Sequence, residues 1–244
     1  MILPLLLLQT LATPVSAESR RHEACVDLAI SNPTAALAET TDWQLAGGGA
    51  LARQCLGVAF ATQSKWPAAA VAFEDAARTA GRDGDARAGT FWAQAGNAWL
   101  AGGDAARART ALDTAIGSGQ LAEFALGEAH LDRARALVAA GEPGIARTDL
   151  DRAVQLAPAD PLAWLLSATL ARRQGDLPRA RADIAQALKR SPDDASVQLE
   201  AGNIAVFGND VAAARTAWNE VKRLAPDSPQ ARSAEAALQG LPVE

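Results

Sequence analysis

The chain has 244 residues and a net charge of −5, and 49% of its residues are apolar while only 5% are aromatic. A mildly acidic balance without a basic stripe lacks the electrostatic footprint of a nucleic-acid binder. Much of the apolar share is alanine, so each helix has little area to bury, and stability must come from close packing of small side chains repeated along the chain.

Residues 1–17 contain no ionisable side chain and are leucine-rich near the start. The apolar run is shorter than the roughly 20 residues of a membrane span. Val15-Ser16-Ala17 fits a small-residue cleavage site, so the segment reads as a secretory leader cut after Ala17. No Lys or Arg precedes the apolar run; an uncleaved anchor and a misplaced start are the alternatives. Residues 18–30 and 34–45 read as a helical hairpin split by Ser31-Asn32-Pro33 and closed by Gly47-Gly48-Gly49, so 18–49 forms an N-terminal cap.

From there a unit recurs. Pro158, Pro192 and Pro226 are spaced by 34 residues, as are Ala146, Ala180 and Ala214, and Leu150, Ile184 and Trp218. In the 161–194 unit, Trp164, Ala168 and Ala171 share one helical face. Gly175-Asp176 interrupts, and Pro178 is tolerated in the first turn of a second helix. That helix buries Ala180, Ile184, Ala187 and Leu188, and it stops before Pro192, whose ring disfavours helical geometry in Ser191. Asp193 and Asp194 are placed to cap the next helix. A period in this range marks a stacked helical array whose units bury apolar faces only against neighbours. The last element, 229–239, opens at Ser228-Pro229 and presents Gln230, Arg232, Glu235 and Gln239 as a polar outer face; 229–244 is the C-terminal cap and tail.

These residues resemble the tetratricopeptide repeat family, whose pattern sets Trp, Leu-Gly, Tyr, Ala, Phe, Ala and Pro at fixed offsets within 34 residues. The 161–194 unit carries Trp164, Gly175, Ala180, Ala187 and Pro192; the 89–122 unit carries Trp92, Gly96, Trp99, Gly103, Ala108 and Ala115. Units at 127–160, 195–228 and, more loosely, 50–83 extend the likeness over 50–228. Tyrosine is absent from the chain; Phe60, Trp99, Leu137, Ala171 and Ala205 take its place. Spacing stretches to 38 between Gly103 and Gly141 and to 39 between Ser64 and Gly103, which leaves the superhelical angle at those two joints open. The resemblance implies an all-α, right-handed α-solenoid of stacked antiparallel hairpins.

It also implies a partner-binding groove lined by the first helix of each hairpin. Transferred offsets select Asn97, Leu131, Arg135, Val138, Leu165, Thr169, Arg172, Arg173, Leu199, Asn203 and Phe207. Adjacent Arg172 and Arg173 suit carboxylates. The Lys/Asn clamp that some relatives use on a C-terminal carboxylate is not reproduced.

Cys25 and Cys55 fall on the first helices of adjacent hairpins, and in an exported protein they are expected to pair; two buried thiols are the alternative. A bridge closing about 30 residues stabilises by roughly 3–4 kcal/mol in the chain-entropy model. His22 and His130, the two imidazoles, are far apart, so no metal or other cofactor is expected. No nucleophile elbow, phosphate loop or Cys-x-x-Cys is present. The expectation is therefore a non-catalytic adaptor that binds a protein or peptide, in the periplasm of a Gram-negative envelope, with no nucleic-acid partner and no membrane span after leader removal. The competing readings are a self-associating array and, less favoured, a ligand-binding or enzymatic solenoid.

Overall fold

The computed structural model describes residues 16–241. Residues 1–15, most of the stretch read from the sequence as a leader, lie outside them. Thirteen helices and no strand are found among the described residues. They pair as antiparallel hairpins: α1 (Ala17–Ser31) with α2 (Pro33–Leu45), α3 (Gly49–Thr62) with α4 (Trp66–Arg82), and α5 (Ala88–Ala101) with α6 (Ala105–Gly117). Then follow α7 (Glu123–Ala139) with α8 (Pro143–Leu156), α9 (Pro161–Arg173) with α10 (Leu177–Arg190), and α11 (Ala195–Phe207) with α12 (Val211–Leu224). A single helix, α13 (Pro229–Gln239), covers the end and packs on α11 and α12.

Turn chemistry sets the hairpins. Ser64, Gly103, Gly141, Gly175 and Asn209 all have positive φ, between 55° and 80°, one in each turn from α3–α4 to α11–α12. The next residue's N–H reaches back across the turn, as in Asp176 N to Ala171 O at 2.9 Å and Asp210 N to Ala205 O at 2.9 Å, which closes the helix end. Asp104, Asp176 and Asp210 then cap the second helices through their side chains. At the joints between hairpins, Ala157, Ser191 and Ala225 leave helical geometry with ψ of 59°, 69° and 67°, as a following proline requires. Asp160, Asp194 and Ser228 cap the helices that follow; Asp193 does not take part.

Within each hairpin the backbones meet at small residues. A Cβ on Gly96 would stand 2.5 Å from Leu112 Cγ, and one on Gly202 would stand 2.8 Å from Trp218 Cε2. Ala168, Ala180 and Ala187 are fully buried and Ile184 is nearly so. There is no single centre; buried clusters follow one another along the chain, each shared by neighbouring hairpins.

The stretched spacings appear mainly as helix rather than loop. Helix α7 has 17 residues against 13 in α9 and α11, so the four extra residues, 123–126, add about one turn at its start. Helix α4 also has 17 residues, three more than α8, α10 and α12. Trp43, Trp99 and Trp218 are buried, whereas Trp66, Trp92 and Trp164 are half-buried. Arginine guanidiniums cover four tryptophan faces, among them Arg190 over Trp164 at 5.1 Å and Arg107 over Trp99 at 4.6 Å.

At the N-terminal end, Cys25 and Cys55 form a disulfide joining α1 to α3, with both residues buried. Gly48, in the triple-glycine segment, presses its backbone on the Trp43 indole, whereas Gly47 and Gly49 supply the positive φ values of the joint.

Candidate functional site

First helices of successive hairpins lie side by side, but unevenly. Backbones approach closely at α1–α3, α5–α7, α9–α11 and α11–α13 and stand further apart at α3–α5 and α7–α9. Two open cavities occupy the α7–α9 cleft. One, of about 240 Å³, is lined by Arg135, Val138, Leu166, Thr169, Leu170 and Arg173 among others. The other, of about 480 Å³, lies toward the helix N-termini between Phe124, Glu128, Asp132, Asp160 and Leu162, and reaches across to Asn97. Arg135 lines both, so the two cavities adjoin at that side chain along the α7–α9 cleft.

The cleft gathers six of the residues selected from the sequence: Asn97, Leu131, Arg135, Val138, Thr169 and Arg173. Asp132, absent from that set, fixes two of them, accepting from Asn97 Nδ2 at 2.9 Å and from Arg135 Nη1 at 2.8 Å. Leu131 is 4% exposed and serves as floor.

The other five lie elsewhere. Arg172 and Asn203 converge on Glu200, a carboxylate buried between α9 and α11: Arg172 Nε donates to Oε1 at 2.7 Å and Asn203 Nδ2 to Oε2 at 3.2 Å. The two adjacent arginines therefore do different things. Arg172 is tied to Glu200 across a repeat joint, while Arg173 is exposed and makes no ion pair or hydrogen bond among the described residues. Leu165 is buried in the core shared by α9, α10 and α11. Leu199 is half-buried against the core beneath α13, and Phe207 is 50% exposed at the end of α11.

Sequence reasoning missed Phe124, Glu128, Asp160 and Leu162, and Phe124 rides on the extra turn of α7. Glu128 also has no partner among the described residues. Partial desolvation by the surrounding cleft, followed by the nearby charges of Asp132 and Asp160, pushes the carboxyl of this exposed residue above the usual glutamate range.

A polar ladder on the other side of these helices was missed as well. Buried Asp149 accepts from Arg133 Nε at 2.8 Å and faces His130 Nδ1 at 2.8 Å. One repeat on, buried Asp183 accepts from Ser167 Oγ and from Arg179 Nε, and Arg147 bonds Ser167. Asp149 and Asp183 are 34 residues apart, a phase that the sequence did contain. Among the described residues no group of His, Cys, Asp and Glu is arranged to hold a metal ion, and no helix is long and apolar enough to cross a membrane.

Stacked hairpins without a common centre, closed by a terminal helix and opening a cleft between first helices, define an α-solenoid. Residues 131–195 and 165–229 match the family model for the tetratricopeptide repeat, so the stretch 131–229 carries repeats of that kind. Pseudomonas aeruginosa PilF has a similar structure, with a TM-score of 0.73 at 17% identity over 91% of this chain and 100% of that one. PilW, described as a widely conserved type IV pilus biogenesis factor, gives 0.74 at 16% identity over 91% and 100%. YrrB, described as a tetratricopeptide protein with an unusual peptide-binding site, gives 0.59 at 19% over 81% and 97%. At these identities the likeness is one of fold. No curated protein matches the chain by sequence.

Proposed function

We propose that the chain is a non-catalytic adaptor that holds a peptide or protein segment in the α7–α9 cleft and serves an assembly of the cell envelope. The observation that carries this reading is the cleft itself: two adjoining cavities, apolar in the middle, with a charged group near each end that has no partner among the described residues. Apolar anchoring with a few convergent polar groups is how extended segments are held. The tetratricopeptide match over residues 131–229, which includes α9, supports protein binding.

The exported location rests on the leader reading of residues 1–17, and the Cys25–Cys55 disulfide supports it because such bridges persist in oxidising compartments. PilW, a pilus biogenesis factor of the same fold, supports an envelope role. On this reading, 18–49 and 229–244 cap the repeats of 50–228.

In vivo photo-crosslinking tests the proposal. A photoreactive residue at position 169, in the cleft, should yield a discrete adduct that disappears in Arg173→Glu. The same residue at position 182, on the exposed side of α10, should yield none. Adducts from 182 alone, or from both positions regardless of Arg173, would overturn it.

A further inference from the structure

The cleft has a direction. Helices α7 and α9 enter from the same end, so Glu128 lies level with Leu162 at the start of α9, and Arg173 closes its last turn. Around Glu128 the formal charge is negative, from Asp132 and Asp160 as well. Asp132 is already bonded to Asn97 and Arg135, and Asp160 caps α9, so Glu128 is the acidic group there without a donor among the described residues. At the other end Arg173 is a cation without an acceptor among the described residues. Exposed Phe124 and Leu162, 55% and 42% accessible, line the acidic end; Val138, Leu166 and Leu170 line the middle.

From Leu162 to Arg173 there are eleven helical steps, about 16 Å at 1.5 Å each. An extended segment covers that in about five residues at 3.3 Å each. We infer that the occupant is an extended peptide carrying one basic and one acidic side chain about five residues apart, with a large apolar residue between them. The basic group meets Glu128, the apolar residue enters the Val138–Leu166 pocket, and the acidic group meets Arg173. Either chain direction satisfies the charges, so the rule concerns unlike ends and not N-to-C order. This inference rests on the proposed cleft reading and deepens it.

Three pools of fluorescent hexapeptides test it, each with leucine at the third position and random residues at the other inner ones. The end residues are Lys and Glu (in both orders), Lys and Lys, or Glu and Glu. Each partly exposed pair should contribute up to about 1 kcal/mol, so the unlike-ended pool should be retained up to about fivefold better than either like-ended pool. Glu128→Lys should shift preference to the Glu–Glu pool, Arg173→Glu to the Lys–Lys pool, and the double variant should restore preference for unlike ends. Both sites are exposed, and unchanged far-ultraviolet dichroism checks folding. Thr169→Trp, which fills the cavity, should abolish retention of all pools.

Equal retention of the three pools, lost in Thr169→Trp, would overturn the charge rule while leaving the cleft reading intact. Retention of no pool, or retention insensitive to Thr169→Trp, would overturn both.

Discussion

Replacing Arg172 by methionine should destabilise the array by about 2–3 kcal/mol, because it leaves a buried carboxylate short of its cation. Its guanidinium lies between α9 and α11, and its partner Glu200 has a side chain only 8% exposed. Glu200 takes hydrogen bonds from Arg172 at 2.7 and 3.2 Å and from Asn203 at 3.2 Å. Without Arg172, one amide is left to compensate a buried carboxylate. Removing one partner of a buried pair costs about 3–5 kcal/mol. The Arg172 side chain is 23% exposed, so water screens part of this and the lower figure follows. Removing both charges, in Arg172→Met with Glu200→Met, avoids that desolvation and should return close to wild-type stability. The two substitutions should therefore couple by about 2 kcal/mol. Urea unfolding followed by far-ultraviolet dichroism measures all four variants, with slopes compared because a repeat array can unfold in segments. A single variant within about 0.5 kcal/mol of wild type, or a double variant as damaged as the single, would refute the reasoning.

Gly202→Ala should cost about 1–3 kcal/mol, because its Cβ would press into the buried Trp218 indole, and thermal unfolding reads this directly. Ser64 has a φ of 55° where three equivalent turns have glycine. Ser64→Gly should stabilise by about 0.5 kcal/mol, since relief of left-handed strain is partly offset by the freedom glycine adds to the unfolded chain. For Asp149, burial pushes the carboxyl up, but the hydrogen bonds of His130 and Arg133, with their charges, hold it below the ordinary aspartate value. A depressed folded value means that its stabilisation is complete above the unfolded value of about 3.9 and fades as pH falls through the folded one. The stability gap between wild type and Asp149→Asn should thus be widest near neutrality and shrink in acid; a gap unchanged down to about pH 3 would contradict the ionic role.

The hairpins were legible because their signals are local. Pro158, Pro192 and Pro226 act on the residue just before them, and Gly103, Gly141 and Gly175 on their own dihedrals, so a 34-residue phase survives translation into structure. The cleft was half legible. Asn97, Arg135, Val138, Thr169 and Arg173 follow from the repeat offsets, but Leu165 was selected by the same offsets and is buried, because a small rotation of α9 decides between groove and core. Phe124 sits on a turn that the repeat does not contain, and a stretched spacing announces an insertion without saying whether it is helix or loop. Arg172 and Arg173 look alike in sequence; only the approach of Glu200 from the next hairpin separates them.

Hydrogen–deuterium exchange on the disulfide-bonded protein, with and without a segment captured at position 169, tests the central claim most directly. Slowed exchange confined to α7 and α9, with α8, α10 and α12 unchanged, is the predicted result. Protection centred on α8, α10 or α12, or none despite saturating segment, would contradict it.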